Sequence, residues 1–427
     1  MRRQLGRLAV DLTPLRHRDF RLLWLGDLVS EAGSQIALVA VFVQVFALTH
    51  SAAAVGLVGL VQLVPLAIAA LLGGPLIDAV DRRRLLLAAQ CGQASASGLL
   101  FAGALAGHPP LALVYVGAGL VAGFGGLALS TRLSMTPNLV PAEQLPSALS
   151  LHQVMWNTCL IAGPALGGVI IDRLGLSWAY GIDVASFAAV IGACALMRPQ
   201  VPHRDGEPDT RRLLTRGWDE LTAGFGFLRG RRVLQATFYV DLVAMIFGMP
   251  RALFPVLAVT QFGGGSETVG LLFSAVGAGA LLAALTAGWV RQVHRQGRAV
   301  LWAVAIWGLG IIGFGLAGDG LGLALGCLAV AGAADVVSAV FRGTILQQNV
   351  PDEIRGRISS VHTLVVVGGP RLGDVEAGLV ASAFTPMVSV VSGGAVCVAG
   401  VALLAVLAPQ LARYRAPTVP ASTSVAG

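Results

Sequence analysis

Three polar side chains share one face of an apolar stretch near the start of the chain. They are Asp27, Glu31 and Gln35, spaced i, i+4, i+8. A carboxyl group in a partly dehydrated cavity can take up and release a proton near neutral pH, so this face suits alternate binding of protons and substrate. The plainer alternative is a polar helix end near headgroups, or an interhelix hydrogen bond. Asp241, Arg251, Asp335, Arg371, Asp374 and Glu376 also sit in apolar stretches. Each ionisable group costs roughly 2.5–3.5 kcal/mol at a bilayer centre, so each needs a cavity or a partner. Arg371 and Asp374, at i, i+3, are expected to pair with each other. Asp335 and Arg251 need partners from other helices, and Glu376 lies on another face with no local partner. A pair joining Arg251 or Arg371 to a carboxylate of the other half of the chain would act as a gate. A purely structural pair is the reading preferred here over contact with substrate.

The elements that must hold these groups follow from composition. The 427 residues are 56% hydrophobic and 12% charged, against about 25% charged in an ordinary soluble protein. A water-soluble globule this apolar would lack a polar surface, which sets aside soluble enzymes and nucleic-acid binders despite a net charge of +7. All 29 basic residues are Arg, which excludes a P-loop lysine and a Schiff-base lysine. The five cysteines (Cys91, Cys159, Cys194, Cys327, Cys397) stand singly and read as small buried hydrophobes. No catalytic residue, cofactor or metal is expected. The first apolar stretch lacks a convincing cleavage site and reads as a retained anchor.

A membrane-crossing helix needs about 20 mostly apolar residues. Twelve such stretches are predicted, at 20–47, 53–76, 84–107, 111–131, 147–171, 177–197, 233–258, 268–290, 298–317, 320–345, 358–382 and 387–409. Arg residues fall on one side of this map in 26 of 29 cases, which predicts that both termini and the long middle loop face the cytoplasm. Arg132 and Arg342 are counted among the loop residues. Residues 1–197 and 233–409 are read as two six-helix units, 198–232 as a cytoplasmic linker and 410–427 as a disordered tail. Within the linker, 198–216 reads as flexible and 217–230 as a short interfacial helix.

The second unit echoes the first. Arg132, Val140, Pro141, Glu143, His152, Gly163 and Gly168 recur 210 residues later as Arg342, Val350, Pro351, Glu353, His362, Gly373 and Gly378. Nearer the start of each unit the shift is 214, which matches Asp27 to Asp241, Gly56 to Gly270 and Gly74 to Gly288. An even number of spans per unit makes the units parallel, related by an axis along the membrane normal. His152 and His362 read as helix-end packing residues.

The run Gly74-Pro75-Leu76-Ile77-Asp78-Ala79-Val80-Asp81-Arg82-Arg83-Arg84 resembles the G-x-L-a-D-r-x-G-r-r signature of the major facilitator superfamily, with Asp81 and Ala79 as departures. The run Gly163-Pro164-Ala165-Leu166-Gly167-Gly168 is similar to the G-P-x-x-G-G antiporter motif, with Cys159 where a Gly is usual. Thr49-His50-Ser51, Ala223-Gly224-Phe225-Gly226-Phe227-Leu228 and Gly356-Arg357-Ile358 resemble the bacterial enterobactin-exporter and multidrug-efflux branch. The resemblance implies an all-α membrane protein with twelve helices in two bundles, exporting an amphiphilic small molecule against protons. It implies that Asp78, Arg82 and Arg83 hold the cytoplasmic helix ends in the outward-facing state, with Arg132 and Arg342 in the same gating set. It also implies that Gly163, Pro164, Gly167 and Gly168 bend span five and give it a dry face that hinders proton leak. The expected partners are a small-molecule substrate, protons and the lipid bilayer, with no nucleic acid and a monomeric chain. Two other readings stay open: an importer or facilitator of a polar nutrient, and a non-transporting scramblase or sensor.

Overall fold

The computed structural model describes residues 11–201, 222–286 and 293–415. Its regular elements are all helical. The first half forms span one (Arg18–Thr49), two (Ala52–Ala79), three (Arg82–Leu105), four (Leu111–Leu139), five (Leu145–Leu174) and six (Leu176–Leu196). The second half forms span seven as two helices (Arg232–Phe247 and Phe254–Thr260), then eight (Ser266–Thr286), nine (Gln296–Gly315), ten (Leu321–Asn349), eleven (Asp352–Ala383) and twelve (Pro386–Leu407). Eleven of these are long and apolar enough to cross a membrane. Span eleven, with 32 residues, is long enough but carries Arg371, Asp374 and Glu376. At 1.5 Å per residue, 20 residues reach across about 30 Å of hydrocarbon.

Local chemistry sets the helix ends where hydropathy cannot. Ser51 accepts from the Ala54 amide at the start of span two, Asp81 from the Arg83 amide at span three, and Thr385 from the Val388 amide at span twelve. Gly175, at φ 93°, makes the tight turn between spans five and six. Before span one, Asp11 accepts from the Thr13 amide (3.0 Å), the Thr13 hydroxyl (2.8 Å) and the Ser147 hydroxyl (2.9 Å). The Thr13 amide leads these contacts in holding the Asp11 carboxyl below its ordinary pKa.

Two ends of the molecule differ in how the halves meet. At the end where span one begins, the first half's polar contacts among the described residues stay within it: His17 with Gln144, Arg82 with the Ser134 carbonyl, Arg83 with the Cys194 and Ala195 carbonyls. At the opposite, far end the halves touch backbone to backbone. A Cβ on Gly56 of span two would lie 3.0 Å from Gly378 Cα of span eleven, and one on Gly168 of span five 3.1 Å from Gly270 Cα of span eight. The Ala53 amide donates to Ser382 Oγ (3.0 Å), and Ser274 Oγ donates to the Ile161 carbonyl (2.7 Å). The halves are therefore sealed from the far end to about mid-depth. Residues 1–10, 202–221 and 416–427, with the expected tail and most of the expected linker, lie outside the described residues; residues 222–228 are helical.

Candidate functional site

The ionisable side chains inside the spans sort into partnered sets. Asp27, fully buried on span one, meets Arg132 of span four at 3.1 Å. Asp241, buried on span seven, meets Arg342 of span ten at 2.8 Å. These are the same contact in the two halves, since both members recur at the repeat shifts. Each pair has a histidine nearby that packs edge-on against a phenylalanine, His152 on Phe20 and His362 on Phe238, as expected of packing residues. Arg342 also donates to Ser338 Oγ (2.7 Å) and lies 3.9 Å from Asp335.

Three expectations need correction. Arg132 and Arg342 are not loop residues: each sits seven residues before the last residue of its helix, Leu139 and Asn349. A charge count by sequence distance reads a buried arginine near a helix end as an exposed one. Arg371 does not pair with Asp374. Asp374 takes Arg251 at 2.9 Å, and Arg371 folds back to donate to the Val367 carbonyl of its own helix. Arg251 and Asp374 both belong to the second half, so their pair does not bridge the halves. Asp78 is exposed, with no cap or ion pair among the described residues. The capping acid is Asp81, which accepts from Arg83 N (3.0 Å) and Gln200 N (2.9 Å).

Span seven is broken at its middle, which the sequence analysis missed. The helix stops at Phe247, Pro250 cannot supply an amide, and a 3-10 turn (Arg251–Leu253) leads into the second piece. Trp307 Nε1 donates to the freed Gly248 carbonyl at 2.8 Å. A Cβ at Gly248 would sit 2.7 Å from the Ala244 carbonyl, so a glycine is needed there. The signal was the Gly248-Met249-Pro250 run inside an apolar stretch.

This break lines a cavity between the halves. Gln35, Leu160 and Pro164 face it from the first half; Arg251, Phe254, Trp307 and Asp335 face it from the second. Its walls are mostly apolar and aromatic, with Gln35, Arg251 and Asp335 as polar groups. About 90 Å³ is free, room for several waters. A drug-sized ligand needs about 300 Å³ or more, so cargo must part the walls. Gln35 Nε2 donates to Glu31 at 2.8 Å, which ties that half-buried carboxylate to the cavity wall. Glu376 is not among the cavity-lining residues, and Leu372 and Leu379 on its helix face are exposed.

The Gly163–Gly168 run serves two neighbours at once. Gly163 and Gly167 pack on Gln35 and Ile36 of span one, and Gly168 packs on span eight. Pro164 sits inside the helix as expected. Gly74 and Arg82 lie at the opposite end, Gly74 exposed with open space beside it. One buried acid escaped the sequence analysis altogether. Asp183 of span six is 1% exposed and accepts from Ser97 Oγ (2.6 Å) and Ser34 Oγ (3.2 Å).

A family model described as transmembrane secretion effector matches residues 9–423. The enterobactin exporter EntS of Citrobacter koseri is 29% identical over 408 residues, covering 94% of both chains. That of Shigella boydii serotype 18 is 30% identical over 417 residues, covering 96% of both. Among solved structures, a bacterial homologue of the iron transporter ferroportin in its inward-facing state aligns with TM-score 0.68 at 16% identity, over 92% of this chain and 98% of that one. A POT family transporter aligns with TM-score 0.73 at 12% identity, over 92% and 96%. At these identities the structural likeness speaks for the fold alone.

Proposed function

We propose that this chain, which belongs to the transmembrane secretion effector family and is a multi-pass membrane transporter, exports an amphiphilic small molecule in exchange for protons. Residues 1–197 and 233–409 act as the two rocking units, with 198–232 as their link. The arginine excess puts the start of span one, and with it both termini, on the cytoplasmic side. On that reading the sealed far end faces outward, and the conformation is inward-facing. Cargo enters the apolar cavity from the cytoplasm or inner leaflet. Phe254 and Trp307 offer flat contact area, and Gln35, Arg251 and Asp335 orient its polar groups. Enterobactin, the cargo named for the relatives, is the first candidate, with amphiphilic drugs next.

The observation that carries this reading is the asymmetry of closure. Two glycine contacts seal one end, while the motif residues Asp78, Arg82 and Arg83 at the other make no hydrogen bond or ion pair with the second half among the described residues. The resemblance assigns those residues to closing the cytoplasmic end, so their disengagement fits an inward-facing state. Glu31, hydrogen-bonded to Gln35 at the cavity wall, is the candidate coupling carboxylate. Asp27 and Asp241 are bound to arginines here and serve better as charge-neutral struts that hold each bundle together. The dry packing of Gly163, Gly167 and Gly168 would keep protons from leaking past the cavity.

The test is reconstitution into liposomes with an imposed pH gradient. Enterobactin and cationic drugs are offered as cargo to the wild type and to Glu31→Gln. Gradient-driven flux in the wild type, lost or made independent of the gradient in Glu31→Gln, is the expected result. Wild-type, pH-dependent flux in the variant would remove Glu31 from the scheme. Absence of gradient-driven flux for any cargo would overturn export by exchange.

A further inference from the structure

Four carboxylates among the described residues are almost wholly buried inside the spans: Asp27, Asp183, Asp241 and Asp374. Three of them have an arginine at 2.8–3.1 Å. Asp183 has none among the described residues. Its partners are two hydroxyls, Ser97 of span three at 2.6 Å and Ser34 of span one at 3.2 Å, one on each oxygen. The nearby Ser186 hydroxyl is already used, since it donates to the Asp183 backbone carbonyl at 2.7 Å. We propose that the Asp183 carboxyl is a proton-binding site sealed inside the first bundle, separate from the transport cavity, and that it holds its proton in this conformation.

A buried charge without a counter-ion is expensive, and two hydroxyl dipoles do not replace a cation. The remaining way to neutrality is for the acid to carry a proton or a metal cation. The 2.6 Å separation of Ser97 Oγ from Asp183 Oδ2 is that of a direct O–H···O hydrogen bond, leaving no space between them for a sodium ion. A hydroxyl can donate or accept, so Ser97 and Ser34 fit the acid in either protonation state. That is the behaviour required of a site that loads and unloads a proton, and it differs from an arginine, which fixes the ionised form.

The surroundings agree. Spans one, three and six meet at this point, and span one approaches closely because Gly33 has no side chain: a Cβ there would collide with the Ser186 side chain. Glu31 of span one is the other acid that faces Asp183. From span six itself the titratable neighbour is Tyr180, whose hydroxyl is bound to Gln44 Oε1 at 2.7 Å. Span three presents Ser97 to it.

The experiment is infrared spectroscopy of the purified full chain in lipid nanodiscs at neutral pH, in potassium salt, for wild type, Asp183→Asn and Ser97→Ala. The expected result is a protonated-carboxyl band in the wild type that shifts in heavy water, is absent in Asp183→Asn and moves in frequency in Ser97→Ala. A wild-type spectrum without any Asp183-dependent protonated-carboxyl band would overturn the proposal. So would a band that vanishes when sodium replaces potassium, because the occupant would then be a metal cation. Asp183→Asn keeps the shape and the neutral charge, so it is expected to unfold within a few degrees of the wild type; a large loss of Tm would mean that the native group is charged. None of these readouts depends on cargo or flux, so they stand or fall separately from the export reading.

Discussion

Gly56→Ala is expected to unlock the far end of the transporter. In the sealed state its new methyl would lie 3.0 Å from Gly378 Cα and closer still to the Asp374 carbonyl. That is about 1 Å short of ordinary contact, and both obstacles are backbone, which cannot swing aside. When the far ends part, the methyl meets no such obstacle, so its strain falls on one state alone. Overpacking of this kind costs about 1–3 kcal/mol. An equilibrium between sealed and open far ends would then shift about 5–150-fold toward open. Gly168→Ala should do the same through span eight, where its Cβ would lie 2.6 Å from the Ser266 carbonyl. The assay is pulsed electron-spin distance measurement between labels on His108→Cys and Asp319→Cys, exposed far-end loop positions in opposite halves, in a Cys91→Ala background that removes the exposed native thiol. A population at longer distance should grow in each variant. Gly98→Ala is the control, since its Cβ would meet nothing within 4 Å. If Gly56→Ala and Gly168→Ala gave the same distance distribution as Gly98→Ala, the glycine contacts would not be the seal.

Three further outcomes are expected. Arg342→Gln strands Asp241 without its 2.8 Å partner and should destabilise the second bundle by about 3–5 kcal/mol, with part of the loss recovered in Arg342→Gln/Asp241→Asn, as read by thermal unfolding in detergent. Trp307→Phe frees the Gly248 carbonyl at the break in span seven; the lost hydrogen bond is worth about 1 kcal/mol, and a weakened apparent cargo affinity in flux assays would report it. Because the folded chain holds Asp11 below its ordinary pKa, its contribution is present above that ordinary value and lost as pH falls through the lowered one. Asp11→Asn should therefore flatten the acid side of the Tm-against-pH curve and leave its slope near neutrality unchanged.

The spans were legible in the sequence because length and apolarity are properties of one helix at a time. Partner choice was not, because it depends on which helices meet. Asp374 and Arg371 are well spaced for each other, yet the break in span seven delivers Arg251 to Asp374 instead. Asp183 stands inside the apolar stretch 177–197 as Asp335 and Glu376 stand in theirs, so its burial was legible; its partners were not, and the repeat offers it no echo, since the residues 210 and 214 positions later are Gly393 and Cys397. A group that occurs in only one half carries no symmetry signal, and its serine partners lie on other helices.

The repeat does, however, contain more than a list of equivalent residues. An axis that exchanges the halves turns any contact between them into a second contact, with each residue replaced by its equivalent. Gly56 is equivalent to Gly270, and Gly168 to Gly378. Once Gly56 touches Gly378, the axis requires Gly270 to touch Gly168, and both contacts are present with the same geometry: a Cβ on Gly56 would lie 3.0 Å from Gly378 Cα, and one on Gly270 3.0 Å from Gly168 Cα. The same rule applied within a half turns Asp27–Arg132 into Asp241–Arg342. The two seals are therefore one device used twice, with equal consequences for opening. That is why Gly270→Ala should act as Gly56→Ala does, and why Gly168→Ala, which meets Gly270 from the facing side of the second contact, should open the same seal from a helix more than 100 residues away from Gly56.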